Sequence, residues 1–165
     1  MALPASFDVT FAPTTRIVSV VRRFAMSLYE RILEDDEMSS QLALATHELL
    51  ENAVKYNIAE ATLLRVTLTP HSESLSEIVV TIRTRNRATA ENIRIAERLI
   101  TQVREAEDPF MFYQQLIEVS ADEPQRSGLG LARIRAETEM TIDFTIEGDE
   151  IEIIARAQVR PGGEP

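Results

Sequence analysis

Cysteine is absent from this chain. That excludes a disulfide framework and a thiolate metal site. Histidine is scarce: His47 and His71 are the only two, too few to build a zinc site. No apolar run approaches the ~20 residues that a membrane-spanning helix needs, so no membrane partner is expected. The first residues, Met1 to Asp8, lack a basic region and an apolar signal core, and a cytoplasmic protein is therefore expected. Positive charge is in deficit, with 17 Lys and Arg against 27 Asp and Glu and a net charge of −10. Nucleic-acid binders usually carry a basic field, so direct nucleic-acid binding is not expected. Repeats, low-complexity tracts and linkers are also missing. The 165 residues are expected to form one domain over 1–160, with 161–165 as a frayed tail.

What is present reads as alternating elements. Ser6 to Phe11 alternates polar and apolar residues and predicts a first strand, stopped by Pro13. Thr14 or Thr15 caps a helix to about Glu34, with Ile17, Val20, Val21, Phe24, Leu28 and Ile32 as its apolar face. Asp35-Asp36-Glu37 reads as a polar break. Ser39 or Ser40 then caps a second helix ending near Asn57. Thr62 to Thr69 and Ile78 to Thr84 predict a hairpin around a turn at Pro70 to Ser74, with His71 as a solvated turn residue. Helices are expected over Ala90 to Glu105 and from Asp108-Pro109 onward, the latter carrying Phe110, Met111, Phe112, Tyr113, Leu116 and Ile117. That apolar cluster reads as core, with a partner surface as the alternative. Ser120 to Arg126 reads as a loop. A helix to about Glu139 follows, then strands at Met140 to Glu147 and Glu150 to Arg156. Paired strands and grouped helices predict an α+β fold: a two-layer sandwich whose mostly antiparallel, mixed sheet carries helices on one face.

The second helix holds the first chemical signal. Leu42, Ala45, Leu49, Ala53 and Tyr56 form an apolar stripe, and Glu48, Asn52 and Lys55 recur at spacings of four and three beside it. A carboxylate, an amide and an ammonium on one face can take a proton, bind a hard cation and meet phosphate oxygens. A solvated face with Glu51 and Lys55 as an i,i+4 pair is the plainer alternative. The second signal is Ser127-Gly128-Leu129-Gly130, with Arg126 ahead of it. Glycine permits close backbone approach, and a helix start offers free N–H groups to an anion; a tight turn before a helix explains the same residues. Arg83, Arg85 and Arg87 alternate along one stretch, as a basic pocket or as a charged strand edge.

Glu48 to Tyr56 (Glu-Leu-Leu-Glu-Asn-Ala-Val-Lys-Tyr) resembles the N box of the GHKL ATPases, which include gyrase, heat-shock chaperone, histidine kinase and mismatch-repair types. Arg126 to Ile134 (Arg-Ser-Gly-Leu-Gly-Leu-Ala-Arg-Ile) resembles their second glycine box. The Arg-Ser-Gly-Leu-Gly wording is most similar to the small anti-sigma-factor serine kinases of bacterial partner-switching systems. The resemblance spans nearly the whole chain and implies a Bergerat-type fold that binds ATP with Mg²⁺. It implies Glu48 as general base, Asn52 as Mg²⁺ ligand and Lys55 as a phosphate contact. Gly128, Leu129, Gly130 and Ser127 would wrap the phosphates, with Arg126 neutralising charge on the transferred group.

One departure stands out. The family's adenine-binding Asp box is replaced by Ile82-Arg83-Thr84-Arg85-Asn86-Arg87-Ala88. One register puts Thr84 at the Asp position and another puts Asn86 there, with Arg85 and Arg87 crowding the pocket. An unmet exocyclic amine costs about 1–3 kcal/mol, roughly tenfold to a hundredfold in affinity.

Two functions follow from the resemblance. One is a Mg·ATP-dependent serine kinase acting on a small STAS-type anti-sigma antagonist. The other is a degenerate pseudo-ATPase that only holds a partner, such as an antagonist-like domain or a sigma factor. A chance match of the N box is the third alternative. The related kinases pair as dimers, which makes a homodimer a candidate, although no coiled-coil seam marks one.

Overall fold

A computed structural model describes residues 4–72, 76–122 and 128–162, with backbone alone for residues 121 and 122. In chain order the elements are β1 (Ala5–Phe11), α1 (Thr15–Leu33), α2 (Asp36–Lys55), β2 (Thr62–Pro70), β3 (Ile78–Arg87), α3 (Ala90–Glu105), α4 (Pro109–Asp122), α5 (Leu129–Glu137), β4 (Thr141–Glu147) and β5 (Glu150–Val159). The five strands form one sheet in the order β1-β2-β3-β5-β4. Every neighbouring pair is antiparallel. The α+β sandwich expected from the sequence is the observed fold, but the sheet is wholly antiparallel and not mixed.

The two faces of the sheet differ in chemistry. Leu64, Val66, Leu68, Ile78, Val80, Ile82, Ile151, Ile153 and Ala155 alternate onto the inner face and are buried beneath the helices. The outer face carries charge in pairs. Arg65 meets Asp8 at 2.6 Å, and Arg83 and Arg85 meet Glu152 at 3.1 and 3.2 Å. Arg87 pairs with Asp149. The arginines therefore stand on an interior strand, not on an edge. They point away from the helix layer and do not crowd a pocket.

Helix starts and stops follow local chemistry. The Thr14 side chain accepts from the Arg16 amide and caps α1, and Glu34 closes it at φ 55°. Asp35, and not Ser39 or Ser40, caps α2 through the Met38 amide at 2.8 Å. The acidic triplet is thus a cap and first turn, where carboxylates meet the positive helix end. Ser39 is instead fully buried. Leu42, Leu49 and Leu50 of α2 are also fully buried, each contributing roughly 1.5–3 kcal/mol of transfer free energy. Tyr29 of α1 and Thr46 of α2 share a buried hydrogen bond of 2.9 Å, and Thr46 donates onward to the Leu42 carbonyl at 2.8 Å.

Further boundaries shift. β3 runs on to Arg87 and β5 to Val159, while α5 stops at Glu137. α4 extends to Asp122, through the first part of the expected loop; residues 123–127 lie outside the described residues. So do residues 73 and 74 of the turn expected at Pro70 to Ser74, of which Pro70 ends β2. The amide of Gly162 donates to the Leu33 carbonyl at 2.7 Å. The apolar cluster of α4 is not core. Phe110, Met111, Ile117 and Val119 are exposed, and Phe112, Tyr113 and Leu116 only pack against the core's rim.

Candidate functional site

Asn57 ties the end of α2 to the end of β3. Its Oδ1 accepts from the Ala59 amide at 3.0 Å and from the Arg87 amide at 3.3 Å, and its Nδ2 donates to the Ala61 carbonyl at 2.8 Å. The Ile58 amide adds a bond to the Arg87 carbonyl at 2.9 Å. These bonds set the last turn of α2 against the last residues of β3. Between them and α3 lies a cavity of about 150 Å³.

Asn52, Ala53 and Tyr56 of α2 form one wall, and Asn86 and Ala88 another. Ile95, Ala96 and Leu99 of α3 form the third, and Ile151 and Ile153 of β5 close the floor. Asn92, Gly128 and Leu131 complete the lining. The surroundings are apolar apart from three side-chain amides and the Tyr56 phenol.

Asn86 is 6% exposed and lines this cavity, whereas Thr84 is 1% exposed and lies outside its lining. The Thr84 hydroxyl has no hydrogen-bond partner among the described residues. Of the two residues that the sequence offered for this place, Asn86 lines the cavity and Thr84 does not. Both stand on the helix-facing side of β3, onto which Ile78, Val80, Ile82, Thr84 and Asn86 alternate, and the cavity borders the end of that strand, where Asn86 lies.

Beyond Asn52, one turn toward the start of α2, stands Glu48. Its side chain is 13% exposed and its Oε1 lies 3.3 Å from Nη1 of Arg133. Burial pushes the carboxyl above its ordinary value, against the opposing pull of Arg133 and His47. Arg133 is held from its other side by Glu137, one helical turn on, at 3.0 Å. Gly130 makes this arrangement possible. A Cβ at that position would collide with the Glu48 carboxylate, and one at Gly128 would come within 2.7 Å of Leu99. Gly128 has φ −165°, which any residue adopts, so space and not backbone freedom demands the glycine. It caps α5 with no side-chain bond, leaving first-turn N–H groups without intrahelical partners.

Not every residue singled out from the sequence joins this group. Glu48, Asn52, Asn86, Gly128 and Gly130 cluster around the cleft, and Leu129 opens α5 beside it. Lys55 is exposed and lies over the Tyr56 ring, with Nζ 5.2 Å from the centroid; it does not line the cavity. Arg126 and Ser127 lie outside the described residues. Arg133 and Asn92 were missed. The i,i+4 spacing of Arg133 and Glu137 was a legible sign of a held arginine one turn after the glycines. Nothing local marked Asn92, which caps no helix and falls on no motif. Among the described residues no three His, Asp or Glu side chains converge as a metal cluster, and no helix is long and apolar enough to cross a membrane.

No protein-family model and no curated protein sequence matches the chain. Among solved structures, the fold is similar to a chain of the SiaB–SiaC complex from Pseudomonas aeruginosa. The TM-score is 0.62, over 93% of this chain and 89% of that one, at 11% identity. The likeness is one of fold.

Proposed function

We propose that this chain is a GHKL-type regulatory protein that binds Mg·ATP in the α2–β3–α3 cavity and transfers a phosphoryl group to a serine of a partner protein. The observation that carries this reading is the meeting of the two motifs. Gly130 leaves the space that the Glu48 carboxylate fills, and Asn52 stands one turn along on the same helix, in the cavity wall. Asn52 and Gly130, at positions 52 and 130 of the chain, belong to motifs far apart in sequence that the fold brings together, which a chance match of either would not require. The similarity in fold to a chain solved in a two-protein complex supports a protein partner; that it is of the STAS-type antagonist or sigma-factor kind rests on the motif resemblance alone.

The residues suit the group. The Asn52 amide oxygen is a hard donor for Mg²⁺, which keeps most of its waters and takes its remaining ligands from phosphate. Bound there, Mg²⁺ supplies charge neutralisation at the phosphates. The free N–H groups that open α5 are donors for phosphate oxygens. Glu48, with its carboxyl raised by burial, accepts the proton of the serine hydroxyl as it attacks. The test is calorimetric titration with ATP and ADP, with and without Mg²⁺. Micromolar, Mg²⁺-dependent affinity that Asn52→Ala removes without lowering the melting temperature is the expected result. No binding at millimolar nucleotide sinks the reading.

A second reading has its own observation. Among the described residues no charged side chain lines the cavity, and Lys55 is exposed and outside its lining. A pseudo-ATPase that only holds a partner fits those facts. It requires partner binding that survives without nucleotide and is unaltered by Asn52→Ala.

A further inference from the structure

Among the described residues the cavity is lined by neutral side chains, and its polar character comes mainly from the amides of Asn52, Asn86 and Asn92. In an acidic protein that is an unusual stretch of wall. It suits an uncharged, flat, hydrogen-bonding ring stacked among Tyr56, Ile95 and Leu99.

Asn86 lies near the end of β3, an interior strand between β2 and β5. Its backbone is in register with Ile151 of β5. Its neighbours Arg85 and Arg87 are tied to Glu152 and Asp149 on the opposite face. The position of the residue is therefore set, while its amide is held lightly. Nδ2 donates to the Arg87 carbonyl at 3.3 Å, and Oδ1 accepts from none of the described residues.

Resting on the nucleotide reading above, we infer that this cavity takes a purine without choosing between an amino edge and a lactam edge, and that Asn86 is the residue that makes it indifferent. An ionised carboxylate is acceptor only. In its place a site welcomes an exocyclic amine and leaves a lactam oxygen facing negative charge, so amino-edged bases win. An amide carries both an acceptor and two donors. Its Oδ1 accepts from the amino group of adenine. The Nδ2 hydrogen that is not given to the Arg87 carbonyl donates to the carbonyl of guanine, so neither base requires the amide to turn. A buried site discriminates strongly only when the wrong ligand leaves a polar group unpaired; here neither base does.

The test titrates the full chain with Mg·ATP and Mg·GTP. The expected result is affinities within about threefold of each other. Asn86→Asp should open a preference for ATP of about tenfold or more, chiefly by weakening GTP. Asn86→Leu should weaken both. A wild-type preference for ATP beyond about tenfold overturns this inference and leaves the nucleotide reading standing. So does an Asn86→Asp variant with an unchanged ratio. Absence of binding by either nucleotide at millimolar concentration overturns both.

Discussion

Nη1 of Arg133 stands 3.3 Å from Oε1 of Glu48 and joins α5 to α2 across the cleft. The pair links the two motifs directly, and it opposes the burial that works against a charged Glu48. Burial remains the larger influence, so the carboxyl stays above its ordinary value. The consequence for stability has a definite sign. A carboxyl raised in the folded state makes ionisation costlier there than in the unfolded chain. That cost is present at neutral pH, shrinks as pH falls through the folded value, and is gone below the unfolded value near 4.5. Glu48→Gln cannot ionise. It should melt above the wild type at pH 7 and match it below about pH 4.5. Arg133→Met should do the opposite, losing stability at neutral pH and recovering it in acid. Melting curves from pH 4 to 8 (roughly the span over which carboxyls and histidine titrate) decide the matter; parallel curves for all three proteins would contradict it.

Gly130→Ala separates a helix preference from a functional cleft. Alanine in a helix interior is favoured over glycine by roughly 1 kcal/mol. The added methyl, however, must displace the Glu48 carboxylate. The expected outcome is a melting temperature within a few degrees of wild type and nucleotide affinity reduced about tenfold or more. Wild-type affinity in this variant would show that the Glu48 side of the cleft is not where phosphate binds.

Thr84→Val tests the orphan hydroxyl. Thr84 is 1% exposed and its Oγ1 has no partner among the described residues. Valine keeps the shape and removes the unpaired group, which should stabilise the fold by about 1 kcal/mol in urea titration. If the variant is instead destabilised, the hydroxyl is paired in solution. With Asn86 and not Thr84 at the cavity, nucleotide affinity should not change.

The sequence alone determined the local structure and the motifs. Periods of 3.6 and 2 placed the helices and strands, because an element that buries one face must repeat its apolar residues at its own pitch. Close reading also contained the parity of β3. Ile78, Val80 and Ile82 already point Thr84 and Asn86 inward and send Arg83, Arg85 and Arg87 to the other face. The tertiary structure decided what such patterns leave open. Arg83 and Arg85 find the Glu152 carboxylate 69 and 67 residues away on β5, so they are paired on an interior strand and not guarding an edge. Phe110, Met111, Ile117 and Val119 of α4 face outward because that helix packs chiefly on α5, although its composition is that of a core helix. Lys55 leaves the cleft because its place on α2 turns it to solvent beyond the edge that packs on β3. Glu48 and Arg133, 85 residues apart, meet where α5 packs on α2, with Gly130 leaving room for the Glu48 carboxylate. Contacts at that separation depend on how whole elements pack, which no local spacing encodes.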